Sequence, residues 1–333
     1  MIMNQSFKPP RYLRNAHIQS ALNSVGPRKI RANRLAEKLN SEYLILETAE
    51  GVRLAAEYDR SSGVKASRKD ALVIMIHGWE GSSRSAYQVT TAKYLLDHGF
   101  DVLRLNMRDH GDTQHLNKGL FNSTMTPEMA GAIEVFVKQH NYPSIFLAGF
   151  SLGGNFSLRI ATDSGIKLGL KAVVAISPPV DPVNAMSALN QGSFIYRKYF
   201  MRRWKNSLRK KLAHFPEYNF REELENNKTF DQLNKFFVPR YTDYSDTESY
   251  FKSYALTGDR LSKLEIPAHL ITAEDDPVIP VADLNKIDCP KTLKLEVYPF
   301  GGHCGFIINC KAHSFMEPRL VKIFNSYLDC SDG

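Results

Sequence analysis

A serine flanked by glycines stands near the middle of the chain, in Gly149-Phe-Ser-Leu-Gly153. An apolar run, Ser144–Phe150, precedes it, and the residues 155–162 have the spacing of a helix. A strand, a sharp turn and a helix in this order hold a serine in a strained conformation at the end of a strand, where its hydroxyl can attack a substrate. The pattern predicts Ser151 as a nucleophile. The alternative is a glycine-rich phosphate-binding turn, although the GxGxxG spacing of dinucleotide sites is absent.

A serine hydroxyl becomes a good nucleophile when a neighbouring base removes its proton. His303 is the predicted base, because it lies in Phe300-Gly-Gly-His-Cys-Gly305, directly after the predicted strand Leu293–Tyr298. Glycines on both sides allow the loop to turn the imidazole inward. The alternative is a histidine on a surface loop that takes no part in chemistry.

An imidazole that acts as a base needs a carboxylate, which fixes its tautomer and stabilises its charge. Asp276 is the predicted carboxylate, since it follows the strand Ala268–Thr272 and directly precedes the turn Pro277-Val-Ile-Pro280. Open α/β sheets place their sites at the carboxyl ends of strands. Asp275 and Asp181 are the alternatives, and the acidic run could instead cap a helix.

The negative charge that develops on a substrate during acyl transfer needs backbone donors close to the nucleophile. The loop His77-Gly-Trp-Glu-Gly81 follows the buried strand Ala71–Ile76 and is the predicted source of one donor, the amide of Trp79. The amide of Leu152, the residue after the nucleophile, is the predicted second donor. His77 is predicted to hold the loop rather than to react.

The candidate site residues follow different predicted strands, so they can meet only if a sheet brings the ends of those strands together. Predicted strands alternate with helices, which favours a mostly parallel, doubly wound α/β sheet. The strands are Glu42–Thr48, Val52–Tyr58, Ala71–Ile76, Phe100–Leu105, Ser144–Phe150, Lys171–Ile176, Ala268–Thr272 and Leu293–Tyr298. No strand pattern occurs in residues 181–261, which we interpret as a helical lid insertion in a core of residues 41–180 and 262–333. Residues 1–40 are interpreted as a segment that wraps the surface.

The lid contains a basic amphipathic stretch, residues 196–212. Apolar side chains recur there every fourth residue, as on one face of a helix, and eight lysines or arginines occupy the other faces. This pattern predicts a lid helix that packs its apolar stripe on the core, with peripheral membrane contact as a compatible second role. The stripe consists of Tyr196, Phe200, Trp204, Leu208 and Leu212.

Composition narrows the classes of function. The chain has 333 residues and a net charge of +8, and no nucleic-acid recognition motif accompanies its basic residues. Its four cysteines form no CxxC pair, so we expect free thiols in a reducing compartment and no bound metal. The N-terminus lacks a signal-peptide pattern, and no apolar run is long enough to span a bilayer. We therefore expect a cytoplasmic protein without cofactors that acts on a small molecule.

The motifs resemble those of the α/β-hydrolase superfamily, and within it the YheT-type hydrolases and their eukaryotic abhydrolase-domain relatives. The resemblance rests on His17-Ile-Gln19, His77-Gly-Trp-Glu-Gly-Ser-Ser83, Gly149-Phe-Ser-Leu-Gly-Gly-Asn155 and Gly301-Gly-His-Cys-Gly-Phe306. It departs from the family at Asn106-Met-Arg-Asp-His-Gly111, where relatives usually read Asn-x-Arg-Gly. The resemblance implies an α/β-hydrolase fold and a Ser-His-Asp triad of Ser151, His303 and Asp276.

Related proteins are described as carboxylesterases, lipases or phospholipases, and some as acyltransferases. The resemblance therefore implies a hydrolase of acyl or lipid esters that works through an acyl-enzyme. Acyl transfer with the same triad is one alternative, although no His-x-x-x-x-Asp acyltransferase motif occurs. A catalytically idle adaptor for membranes or proteins is the other.

Overall fold

The computed structural model describes residues 7–63 and 69–328, and an eight-stranded sheet forms the centre of this part of the chain. The strands are β1 (Glu42–Glu47), β2 (Arg53–Asp59), β3 (Ala71–Ile76), β4 (Asp101–Leu105), β5 (Ser144–Phe150), β6 (Leu170–Ile176), β7 (Ala268–Ala273) and β8 (Leu293–Tyr298). Their order is β1-β2-β4-β3-β5-β6-β7-β8. β2 is antiparallel to both neighbours, and the pairs from β4 to β8 are parallel.

The prediction of a mostly parallel α/β sheet is confirmed, and each predicted strand agrees with an observed one to within one residue at either end. Central strands such as β3 and β5 are buried along their whole length, since helices cover both faces of the sheet. The connection between β2 and β3 includes residues 64–68, which lie outside the described part, as does Cys330.

Helices flank the sheet and also form the connection between β6 and β7. They are α1 (Ala16–Leu22), α2 (Pro27–Ala36), α3 (Ala86–Asp97), α4 (Thr126–His140), α5 (Leu152–Ser164), α6 (Pro182–Gln191), α7 (Phe194–His214), α8 (Arg221–Asn226), α9 (Phe230–Tyr241), α10 (Thr247–Ser253) and α11 (Met316–Asn325). Apolar side chains of α3 and α11 pack on one face of the sheet, and those of α4 and α5 pack on the other.

One helix begins earlier than the sequence predicts. α5 begins directly after Ser151 rather than at Asn155, because the glycines at 153 and 154 weaken the helix signal in sequence yet pack tightly against the sheet.

The segment between β6 and β7 is helical from Pro182 to Ser253, with α6 to α10 in succession. α7, α8 and α9 pack around an apolar cluster that includes Leu212, Phe220 and Phe237 and also Leu120 from the connection between β4 and α4. Val238, Tyr250 and Phe251 of this segment belong to the main core cluster, so the segment packs on the rest of the protein. In the described part of the chain, no helix combines the length and apolar character that crossing a bilayer requires.

Candidate active site

Ser151 occupies the turn between β5 and α5. Its φ of 53° and ψ of −123° fall where residues other than glycine are rarely found, and its amide donates to the carbonyl of Ile176 at 2.8 Å. The neighbouring glycines make this turn feasible. A Cβ at Gly149 would overlap the carbonyl of Gly153, and a Cβ at Gly153 would overlap the carbonyl of Ile76. The turn therefore presents the serine hydroxyl beyond the end of β5.

The structure brings His303 and Asp276 to this serine. Nε2 of His303 lies 2.9 Å from Oγ of Ser151, and Nδ1 of His303 lies 2.9 Å from Oδ2 of Asp276. Because a carboxylate only accepts, Nδ1 carries the hydrogen and Nε2 is left to accept the serine proton. This arrangement allows the imidazole to remove the proton of Ser151.

The three candidate carboxylates have different surroundings. Asp276 has a fully buried side chain whose Oδ1 also accepts from the amides of Val278 and Ile279, at 2.9 and 3.0 Å. Asp275 instead accepts from the amide of Gly302 at 2.8 Å. Asp181 caps the start of α6 and pairs with a surface lysine. Asp276 is thus the carboxylate in contact with the imidazole, and Asp275 supports the loop.

The N-terminal helix α1 supports the histidine loop. Oγ of Ser20 accepts from the amide of His303 at 2.8 Å, and Gln19 bonds the backbone of Ile307 with both its amide nitrogen and its oxygen. Gly302 has a φ of 54°, and a Cβ there would overlap the carbonyl of Ala16. The sequence motif around Gln19 marks this helix, but nothing in the sequence reveals that it holds the loop.

The loop after β3 lies against the serine. A Cβ at Gly78 would come 3.1 Å from the Cβ of Ser151, so the two backbones run side by side. The amide of Gly78 donates to the hydroxyl of Tyr87 at 2.9 Å. His77 is fully buried, with Nδ1 2.8 Å from the carbonyl of Gly78 and Nε2 accepting from the amide of Met107 at 3.2 Å. These bonds hold the loop in place.

Trp79 and Leu152 directly follow the two residues in this contact, Gly78 and Ser151. Within residues 7–63 and 69–328, neither amide has a hydrogen-bond acceptor, so both are available to a ligand. The ring of Trp79 stacks on Phe200 of α7, with centroids 5.7 Å apart, and meets Trp204 edge-on at 5.5 Å. The lid thus packs directly on the loop that carries one of the two amides.

Burial and neighbouring charges shift the pKa values of the ionisable side chains at the site. Burial is the largest single effect on His303 and lowers its pKa, but the charge and hydrogen bond of Asp276, together with Cys304, outweigh it, so the pKa lies well above its ordinary value. Burial lowers the pKa of His77 far enough to keep that ring neutral. Burial raises the pKa of Asp275, with the neighbouring charge of Asp276 adding to the effect.

A model of the α/β-hydrolase fold family matches residues 71–309, well over half of the chain. This chain belongs to the α/β-hydrolase fold family. YheT of Escherichia coli (strain K12), which is named as an esterase, is 23% identical over 330 residues, covering 97% of this chain and 94% of YheT. An abhydrolase domain-containing protein of Dictyostelium discoideum is 25% identical over 335 residues, covering 97% of this chain and 82% of that protein.

Solved structures agree on the fold. An esterase from Pyrococcus furiosus has a TM-score of 0.57 and 17% identity, and the match covers 98% of each chain. The predicted resemblance to YheT-like α/β-hydrolases is therefore confirmed, and the family and its esterase-like members support a hydrolase.

In this α/β-hydrolase a cavity of about 140 Å³ opens beside Ser151 and His303. Residues that follow the strands form its floor, and the lid forms the opposite wall. Its side chains are mostly apolar and include Leu152, Met186, Leu189, Phe200, Trp204 and Ile279. In the described ranges, no cluster of three or more His, Cys, Asp or Glu side chains could hold a metal ion.

Proposed function

We propose that this α/β-hydrolase cleaves carboxylic esters with an apolar acyl or alcohol group, through an acyl-enzyme on Ser151. One observation carries the proposal: Oγ of Ser151 lies 2.9 Å from Nε2 of His303, whose other nitrogen bonds the buried Asp276. Nucleophile, base and orienting carboxylate thereby form one chain of hydrogen bonds. The esterase-like relatives support the same class of reaction.

The reaction follows from this geometry. His303 takes the proton of Ser151 as Oγ forms a bond to the acyl carbon, and the carbonyl oxygen becomes negative. The free amides of Trp79 and Leu152 donate to that oxygen, and each such donor typically stabilises the transition state by about 3–4 kcal/mol. The carbon–oxygen bond to the alcohol breaks, and the imidazolium protonates the departing oxygen. Water then attacks the acyl-enzyme by the same steps and releases the acid and free serine.

The cavity indicates the kind of ester. Its wall beside Ser151 consists mainly of aliphatic and aromatic side chains, which bind apolar groups by removing their surface from water. An ester with an apolar chain on at least one side of the carbonyl fits this environment better than a charged one.

A panel of p-nitrophenyl esters of increasing chain length tests the proposal. Wild-type protein is expected to release p-nitrophenol catalytically, while Ser151→Ala is expected to lose at least about 10³-fold in kcat. Ser157→Ala is a matched control, because its hydroxyl bonds the carbonyl of Gly153 within α5. Folded wild-type protein without turnover on any ester would contradict the proposal and favour an adaptor role.

A further inference from the structure

A second cavity, of about 60 Å³, lies next to the catalytic cavity. We call it the inner chamber, and the lining residues that matter here are Glu80, Asp109, His110, Ser207 and Asn234. Five side chains line both cavities and form the wall between them: Phe121, Asn122, Trp204, Asn234 and Tyr250. The two cavities are therefore direct neighbours, separated only by these side chains.

Two side chains of the inner chamber carry a buried polar atom without a partner. These atoms are Nε2 of His110 and Nδ2 of Asn234, neither of which has a hydrogen-bond partner among the described residues. His110 is only 4% exposed and Asn234 only 7%. Buried polar atoms in proteins nearly always have a partner. Two unpaired ones on the lining of a single cavity indicate that a further molecule completes them.

One of the two atoms needs a hydrogen-bond donor as its partner, and the other needs an acceptor. Nδ1 of His110 lies 2.6 Å from the carbonyl of Arg108, so Nδ1 carries the hydrogen and Nε2 is an acceptor. Burial lowers the pKa of His110 to about 4, which keeps the ring neutral. Nδ2 of Asn234 is a donor. A hydroxyl group can donate to the first atom and accept from the second.

The ionisable groups of the inner chamber are either paired or only partly charged at neutral pH. Nζ of Lys211 bonds Oδ1 of Asp109 at 2.8 Å, and the other oxygen of Asp109 accepts from the amide of Phe121 at 3.0 Å. Burial raises the pKa of Glu80 to about 7, so this carboxyl is uncharged in about half of the molecules at neutral pH. The lining therefore favours a neutral polar group over an ion.

We infer that the inner chamber binds a hydroxyl group of the substrate, which donates to Nε2 of His110 and accepts from Nδ2 of Asn234. The inference rests on the proposed ester hydrolysis at Ser151. The ester then has a free hydroxyl on the part that extends from the reacting carbonyl past Trp204 and Phe121. The volume of the chamber exceeds the roughly 10–15 Å³ that one water needs, which leaves room for the carbon that carries the hydroxyl.

Two substrate series test this inference and show which side of the ester carries the group. p-Nitrophenyl hydroxyalkanoates, with the hydroxyl moved one carbon at a time, place it on the acyl side. Alkanoyl monoesters of diols place it on the alcohol side. Each ester is compared with the ester of equal length that lacks the hydroxyl. In one of the two series, at one position of the hydroxyl, we expect wild-type protein to have a kcat/KM for the hydroxy ester that is about tenfold or more above its kcat/KM for the deoxy ester.

Variants identify the residues responsible. Asn234→Leu and His110→Phe are each expected to bring that ratio towards one, because each removes one of the two hydrogen bonds. Asn190→Leu, whose amide bonds Asp231 at the lid surface, is expected to keep the wild-type ratio. Because the ratio compares two esters on the same variant, a general loss of activity does not change it. If a variant fails to fold, the ratio measured on wild-type protein alone tests the inference.

Ratios near one at every position of both series, with the deoxy esters readily hydrolysed, would mean that the inner chamber holds water only and would overturn the inference. Failure of wild-type protein to hydrolyse either kind of ester is a different result. It would contradict the proposed function, and the inference would fall with it.

Discussion

The imidazole of His303 is held at both nitrogens, and its pKa is raised because the charge of Asp276 stabilises the imidazolium. The imidazole can take the serine proton only when it is neutral. Hydrolysis is therefore expected to decline as the pH falls through this raised pKa, which places the acid limb of kcat/KM above the ordinary histidine range. The apparent pKa of this acid limb is that of His303 and Asp276 titrating as a coupled pair.

Asp276→Asn is expected to lower kcat by roughly 10³–10⁴-fold, as in other triads where an amide replaces the carboxylate. The acid limb should also move to lower pH, since the charge that favours the imidazolium is gone. kcat/KM measured against pH checks both effects. Asp275→Asn is the matched control, because it keeps the charge at position 276. A larger loss in Asp275→Asn than in Asp276→Asn would contradict the assignment.

At the residue scale, the sequence predicts a site residue where a short run of neighbouring residues is needed for the shape of the local backbone. An apolar strand followed by small residues around Ser151 requires a tight turn, and the glycines around His303 allow an inward loop. Ser20, His110 and Asn234 carry no such pattern, since only tertiary packing brings them to the site. They could not be found from one sequence.

At the scale of elements, the lid is attached to the core by a buried ion pair. Lys211 of α7 has a side chain only 1% exposed and bonds Asp109 as well as the carbonyls of Gln114 and Gly119. Asp109 has a φ of 59°, a conformation that favours glycine. It stands where relatives usually have the glycine of Asn-x-Arg-Gly, so this departure from the family pattern supplies the partner for Lys211.

Lys211→Met is expected to destabilise the protein by about 3–5 kcal/mol, because it leaves a buried carboxylate without its cation. Urea unfolding measures the change in the free energy of unfolding. The double variant Asp109→Gly/Lys211→Met removes both charges and suits the backbone at position 109, so it should recover much of that loss. A double variant as unstable as Lys211→Met would show that the two residues are not coupled.

The elements themselves could largely be predicted, because buried strands such as β3 are continuous apolar runs. The role of the N-terminal segment could not. Residues 1–40 are polar and predict a segment that wraps the surface, and the structure adds that α1 contacts the His303 loop through Ser20 and Gln19. These hydrogen bonds go to backbone groups of the loop, and such bonds leave little trace in hydrophobic periodicity.

At the scale of the whole molecule, the predicted apolar stripe of residues 196–212 turns towards the protein, with Leu208 and Leu212 buried. Exposed apolar side chains lie instead at the start of α7, where Phe194 is 65% and Ile195 75% exposed. Basic residues follow directly, and the chain carries a net charge of +8. We propose that this end of α7 contacts anionic membrane surfaces.

Ile195→Asp is expected to weaken binding to phosphatidylserine-containing vesicles by roughly tenfold or more, since burying an isoleucine is worth about 1.5–3 kcal/mol. Co-sedimentation measures the binding, and pure phosphatidylcholine vesicles report the contribution of charge. Ile166→Asp, an equally polar change at an exposed isoleucine after α5, is the matched control. Equal losses in both variants, or no binding by wild-type protein, would contradict membrane contact at α7.

The most direct measurement is the reaction of the folded protein with a fluorophosphonate, followed by intact mass and peptide mapping. Such a reagent traps a serine whose neighbouring base can remove its proton. We expect a single adduct on Ser151, no adduct in Ser151→Ala, and strongly slowed labelling in His303→Ala. Folded wild-type protein that stays unlabelled, or Ser151→Ala that still reacts, would show that Ser151 is not the activated nucleophile.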